Sequence, residues 1–230
     1  MRDTKLILVE GLPGSGKSTT TTYLAELLRQ GGATVAAYLE KQPGHPLNVG
    51  GELHPSGRTI GDEFFRRYTI ESFIDESVRR WQAMVSDAEQ EATVNILDSY
   101  PYQNSVRVLL QLDATIDQLR VYAQEVETLM QPLAPILIYL DRQDLGEATR
   151  AISQQRGEAW TAYVVEVITR SPYAQRRGLV GPSGVLTILQ TYQRVVTELL
   201  DESRLPRVVL MDCASRWEAC AEQLRAFLAL

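Results

Sequence analysis

Eight residues near the start, Gly11-Leu12-Pro13-Gly14-Ser15-Gly16-Lys17-Ser18, restrict what this chain can fold into more than any other stretch. They follow the apolar run Leu6-Ile7-Leu8-Val9 and lead into Thr19–Leu28, which reads as a helix. Gly11, Gly16, Lys17 and Ser18 fill every fixed position of G-x-x-x-x-G-K-[ST], in the strand–turn–helix setting that pattern requires. Glycines let the chain bend so that successive backbone N–H groups face one concavity, a nest for anions. The new helix adds unpaired N–H groups and the positive end of its dipole. Lys17 supplies a mobile cation for β- and γ-phosphates, and Ser18 a hydroxyl for Mg²⁺. Gly11, Pro13, Gly14, Ser15, Gly16, Lys17, Ser18 and Thr19 are thus the expected binding residues for a nucleoside triphosphate. What the phosphate is used for is not written in the motif.

The rest of the chain supports a cytoplasmic globular enzyme rather than a polymer-binding or membrane protein. With 230 residues, 44% of them apolar, it is long enough for one packed α/β domain. A net charge of −6 offers no basic footprint, so neither nucleic-acid polymer nor anionic membrane is an expected partner. The first strand begins within four residues, which leaves no room for a signal peptide. Cys213 and Cys220 have neither zinc nor redox spacing, and are expected as two packed thiols in a reducing compartment.

Five apolar, β-branched runs read as buried strands: Lys5–Glu10, Thr34–Leu39, Thr93–Leu97, Ile136–Leu140 and Val208–Met211. Helical patterns separate them, at Thr19–Arg29, Phe64–Glu91, Val106–Met130, Leu145–Ser153, Leu186–Leu200 and Trp217–Leu228, so the sheet is expected to be parallel. Trp160, Tyr163, Val164 and Val167 have helical spacing, and the segment from Thr169 to Gly184 reads as a loop. The apolar stripes of the long helices suit a homodimer and a single core equally.

In open parallel sheets, ligands sit beyond the carboxyl ends of the strands. Asp98 ends the third run, placed to hold Mg²⁺ directly or through water, or to take a proton from an acceptor. Glu40 ends the second and could accept or orient a substrate proton. Asp141 and Asp212 hold similar places and read as turn residues. Arg142, Arg150, Arg156, Arg170, Arg176 and Arg177 concentrate cations in one part of an acidic chain. Arginine forks match the oxygens of a transferring phosphoryl group, and a segment closing over the nucleotide would exclude water. Arg150 and Arg156, close to Gly157 at the helix following the fourth strand, are the favoured pair. His45 and His54 lack metal-type partners and read as loop residues, with His45 the nearer to substrate.

Taken in order, these residues resemble thymidylate kinase and related P-loop nucleoside and nucleotide kinases. Glu10-Gly11-Leu12-Pro13-Gly14-Ser15-Gly16-Lys17-Ser18-Thr19 is similar to that family's E-G-x-x-G-x-G-K-S-T opening. Glu40-Lys41-Gln42-Pro43-Gly44-His45-Pro46-Leu47 is similar to its R-E-P-G-G-x-P-L segment. Asp98-Ser99-Tyr100 followed by Ser105 resembles its D-R-Y…S segment, and Ile138–Asp141 with Arg150 and Arg156 its fourth strand and lid. The resemblance implies a three-layer α/β/α fold with a five-stranded parallel sheet in the order 2-3-1-4-5. It also implies transfer of a phosphoryl group from Mg-ATP to a small-molecule acceptor, with Lys17, Asp98 and a lid arginine taking part. In the nucleoside-kinase relatives a Glu after the second strand is the base, which favours Glu40; Asp98 remains the other candidate. The expected organisation is one domain over 1–230, with an acceptor-side helical region at about 43–92 and a lid at about 142–184. Ser99 stands where the family has an arginine for the acceptor's phosphate, which makes an uncharged hydroxyl acceptor more plausible. A nucleoside monophosphate kinase, or a nucleotide-binding switch with a protein partner, are the alternatives.

Overall fold

The computed structural model describes residues 3–40, 42–50 and 60–229. Lys41 and His54 lie outside the described residues, as does the part of the acceptor-side region from 51 to 59. Five strands, β1 (Leu6–Gly11), β2 (Thr34–Tyr38), β3 (Thr93–Asp98), β4 (Ile136–Asp141) and β5 (Arg207–Met211), form one sheet in the order β2-β3-β1-β4-β5. Every pairing is parallel, with Leu8 facing Leu97 on one side and Leu137 on the other. β1 is buried along its whole length, which is why its sequence is an unbroken apolar run rather than an alternating one.

The helices are α1 (Lys17–Gln30), α2 (Ile60–Arg67), α3 (Ile70–Glu89), α4 (Arg107–Gln111), α5 (Ile116–Met130), α6 (Leu145–Arg156), α7 (Glu158–Thr169), α8 (Pro172–Arg176), α9 (Gly181–Glu202) and α10 (Trp217–Leu228). They make two layers on the sheet. On one face, α1 and α10 lay Leu24, Leu28, Cys220 and Leu224 against Ile7, Val9, Ile96 and Ile138. On the other, α3, α5 and α9 cover Leu6, Leu8, Leu97 and Tyr139 with Trp81, Val126 and Tyr192 among others. Trp81 is wholly buried there, and truncating a side chain of that size to alanine costs about 3–5 kcal/mol. α3 and α5 both begin with capping boxes, Thr69 with Ser72 and Thr115 with Gln118, so each start is fixed locally.

Three expectations are corrected. The segment from Thr169 to Gly184 is not a loop. It holds α8 and the first turn of α9, where Gly181-Pro182 starts a helix because proline lacks only an N–H that the first turn leaves unpaired. The second strand stops at Tyr38, so Glu40 lies in the turn two residues beyond it. Cys213 and Cys220 are not two thiols but a disulfide. α10 carries Cys220 back over the turn after β5, bringing the two Cα atoms to 5.7 Å, within bridging distance. The inference of a reducing compartment from unpaired thiols falls with it. No helix among the described residues is long and apolar enough to cross a membrane.

Candidate active site

β1 ends against its neighbours so closely that a side chain on Gly11 would meet the Leu140 carbonyl oxygen, and Gly11 also has φ +144. From there the loop curls back on itself, with Ser15 N–H donating to the Leu12 carbonyl at 3.1 Å. Gly16, at φ +100, turns the chain into α1, and no side chain caps that helix. Its first N–H groups therefore remain available at the positive end of the dipole, in the setting that binds anions. Lys17 is buried beside them and donates Nζ to the Leu12 carbonyl at 2.9 Å. Burial lowers its pKa, and the carboxylates of Glu40, Asp98 and Glu10 oppose that shift. A cation bonded to its own loop and ringed by three acids is held in the mouth of the loop rather than free to swing in solvent.

Asp98 is buried at the end of β3 and accepts two hydroxyl hydrogen bonds. Ser18 Oγ donates to Oδ2 at 2.6 Å, and Ser99 Oγ donates to Oδ1 at 2.7 Å. Ser99 sits at φ +73, a left-handed conformation that costs a non-glycine residue about 1 kcal/mol or more. Its backbone N–H is meanwhile tied to the Val9 carbonyl at 2.9 Å. Where a cation was anticipated by family likeness, the chain has a hydroxyl that orients Asp98. Among the described residues no cluster of three or more His, Cys, Asp or Glu forms a metal centre. The adjoining Ser18 and Asp98 oxygens fit a Mg²⁺ whose remaining ligands are phosphate oxygens and water.

Gln103 and Arg107 were not singled out by the sequence, and Glu10 only as the residue that opens the P-loop stretch at the end of the first strand. Glu10 is fully buried at the carboxyl end of β1. Its Oε1 accepts the Tyr102 N–H at 2.5 Å and its Oε2 the Gln103 N–H at 3.2 Å, at the start of the single π-helical turn Tyr102–Val106. Burial pushes its pKa up to about 8, against those two N–H bonds and the Lys17 charge. Fixed this way, Gln103 extends Nε2 to Glu40 Oε1 at 3.1 Å. His45, a loop residue as read from sequence, is nonetheless buried and stacks on Tyr100, ring centroids 4.4 Å apart. Its Nδ1 accepts the Leu47 N–H at 3.2 Å, which leaves the proton on Nε2, and Nε2 has no partner among the described residues. Burial lowers the His45 pKa to about 4, with Glu40 opposing. Glu40, Gln103, His45 and Tyr100 thus form one wall next to Lys17.

The expected lid arginines divide. Arg150 and Arg156 are exposed on α6, and the Arg156 guanidinium lies 5.6 Å from the Trp160 ring centre. Arg170 pairs with Glu166 at 2.8 Å, while Arg176 and Arg177 both reach Asp113 at 2.6 Å. Glu166 is one helical turn from Arg170, a local pairing, whereas Asp113 is mostly buried and so distant in sequence that no local pattern could signal it. α6 nevertheless closes on the loop: Ile152 occupies the space where a side chain on Gly14, at φ +74, would stand. Asp141 and Asp212 hold turns together, through the Arg142 N–H at 2.8 Å and the Gln143 N–H at 3.3 Å respectively. A cavity of about 740 Å³ opens between the end of β4, α6 and α9, reaching Asp212 and Ser215 beside the loop.

No family model and no curated protein matches the chain. Among solved structures, the YorR protein of Bacillus subtilis, crystallised in complex with phosphorylated GDP, is similar at 16% identity over 96% of this chain and 98% of that one, with a TM-score of 0.46. A thymidylate kinase from Candida albicans is similar at 15% identity over 98% of this chain and 94% of that one, with a TM-score of 0.45.

Proposed function

We propose that this protein is an ATP-dependent kinase that transfers the γ-phosphoryl group to the hydroxyl of an uncharged small molecule. One observation carries the reading. The uncapped start of α1, the buried Lys17 and the Ser18–Asp98 bond converge on one end of the sheet, directly beside the Glu40–Gln103 pair. Triphosphate binding falls to the loop N–H groups and Lys17, and the 740 Å³ cavity beside the loop has room for the nucleoside end. Ser18 and Asp98 would hold Mg²⁺, which when bound neutralises charge on the phosphate oxygens. Glu40 accepts or orients the acceptor's hydroxyl proton, and Gln103 holds Glu40 in place. His45 Nε2–H and the Tyr100 ring present a donor and a flat apolar surface to the acceptor. Ser99 supports an acceptor without a phosphate, because it supplies no charge there.

ADP release from ATP and Mg²⁺ would be measured with nucleosides, nucleoside monophosphates, sugars and hydroxylated antibiotics, and with Asp98→Asn as control. Strong stimulation by one uncharged class, abolished in the control, is the expected result. Tight ATP binding with only a slow rate that no acceptor changes would replace the kinase reading with that of a nucleotide switch.

A further inference from the structure

Four of the six expected lid arginines are engaged away from the loop. Arg156 lies near an aromatic ring, Arg170 is paired with Glu166, and Arg176 and Arg177 with the mostly buried Asp113. On the acceptor side, Arg80 is bound to Glu76 at 2.8 Å. Arg107 is different. It lies one helical turn after Gln103, and its Nε donates to the Gln103 carbonyl at 3.0 Å, so the side chain folds back toward the Gln103–Glu40 pair. It is half-buried, and its one side-chain hydrogen bond among the described residues is made by Nε, not by either Nη. Its positive charge acts to lower the pKa of Lys17 and of Tyr163 on α7, so it lies within electrostatic reach of both. A half-buried guanidinium with two free donor groups suits phosphate oxygens better than it suits an apolar neighbour.

We infer that Arg107 contacts the transferring phosphoryl group from the floor of the site, bridging Lys17 and the hydroxyl-binding pair. This assignment rests on the kinase reading. It makes Arg107 rather than an exposed lid arginine the guanidinium that is already in place before closure.

The test compares Mg-ADP with the non-hydrolysable imido analogue of ATP, by calorimetry, in wild type, Arg107→Met and Arg107→Lys. Arg107→Met should bind Mg-ADP within about twofold of wild type but lose at least about tenfold in affinity for the imido analogue. Arg107→Lys should recover part of that loss, because a point charge remains without the fork. Guanidinium ion added to Arg107→Ala should restore part of the turnover with whichever acceptor the panel finds. Thermal unfolding of each variant separates lost contact from lost structure. An Arg107→Met protein that folds and binds both nucleotides as wild type does would overturn the inference alone. So would one that loses affinity only for a nucleoside monophosphate, which would place Arg107 on an acceptor phosphate. A wild-type protein that binds neither nucleotide would overturn the kinase reading and the inference together.

Discussion

The floor of the site and the lid above it carry charge in opposite ways. Glu10, Lys17 and Asp98 are buried, and each is fixed by backbone or hydroxyl hydrogen bonds. Arg150, Arg156, Arg170 and Arg176 are exposed, and the last two pair with Glu166 and Asp113. A buried charge stripped of its partner costs several kcal/mol, whereas an exposed pair contributes about 0–1 kcal/mol. The difference teaches where precision resides. The floor holds its charges in fixed geometry, whereas the arginines above it stand in solvent.

The largest effect should come from the floor's cation. Lys17→Met is expected to lower turnover by about 10³-fold with the fold intact by circular dichroism; near-normal rates would put floor and lid on an equal footing. Next is the buried imidazole of the acceptor wall. Between about pH 4 and pH 6.5 the unfolded chain binds a proton that the folded chain refuses at His45. Stability therefore rises with pH across that window, by up to about 3 kcal/mol, and is level in this respect above it. Urea unfolding at several pH values, with His45→Gln as the reference lacking that slope, measures the contribution.

Asp98→Asn keeps the shape but weakens the acceptor of two hydroxyls, and turnover should fall by about 10²-fold, with a raised Mg²⁺ requirement in a metal titration. Arg150→Ala removes an exposed lid cation and should cost about tenfold. A loss as large as that of Lys17→Met would move the phosphate-binding charge into the lid. Asp113→Asn, which releases Arg176 and Arg177, should change turnover by less than about twofold. A larger change there would show that the surface pairing holds the lid in a working position.

The strands were legible because each is a short apolar, β-branched run: Lys5–Glu10 as read becomes Leu6–Gly11 in the fold. The loop from Gly11 to Ser18 was legible for a related reason, since its chemistry is local. Gln103 and Arg107 were not. Their importance depends on β1 lying beside β3, which brings Glu10 to the N–H groups of residues 92 and 93 positions later. The lid's arginines were visible as a concentration of charge, but Asp113, more than 60 positions earlier, decides what Arg176 and Arg177 do. The disulfide escaped because a spacing of seven says nothing until the turn after β5 reverses the chain.

Ile152 and Gly14 tie loop and lid together in a way that heredity would have to respect. The isoleucine methyl fills the place of the absent side chain at residue 14, so the two positions cannot drift independently. A lineage that gained even a small residue at 14, such as an asparagine tolerant of the left-handed backbone, would need a shorter one at 152 in the same or an earlier step. Descendants of this chain should accordingly show the two positions exchanging volume, a record of lid contact written in sequence pairs rather than in any single residue.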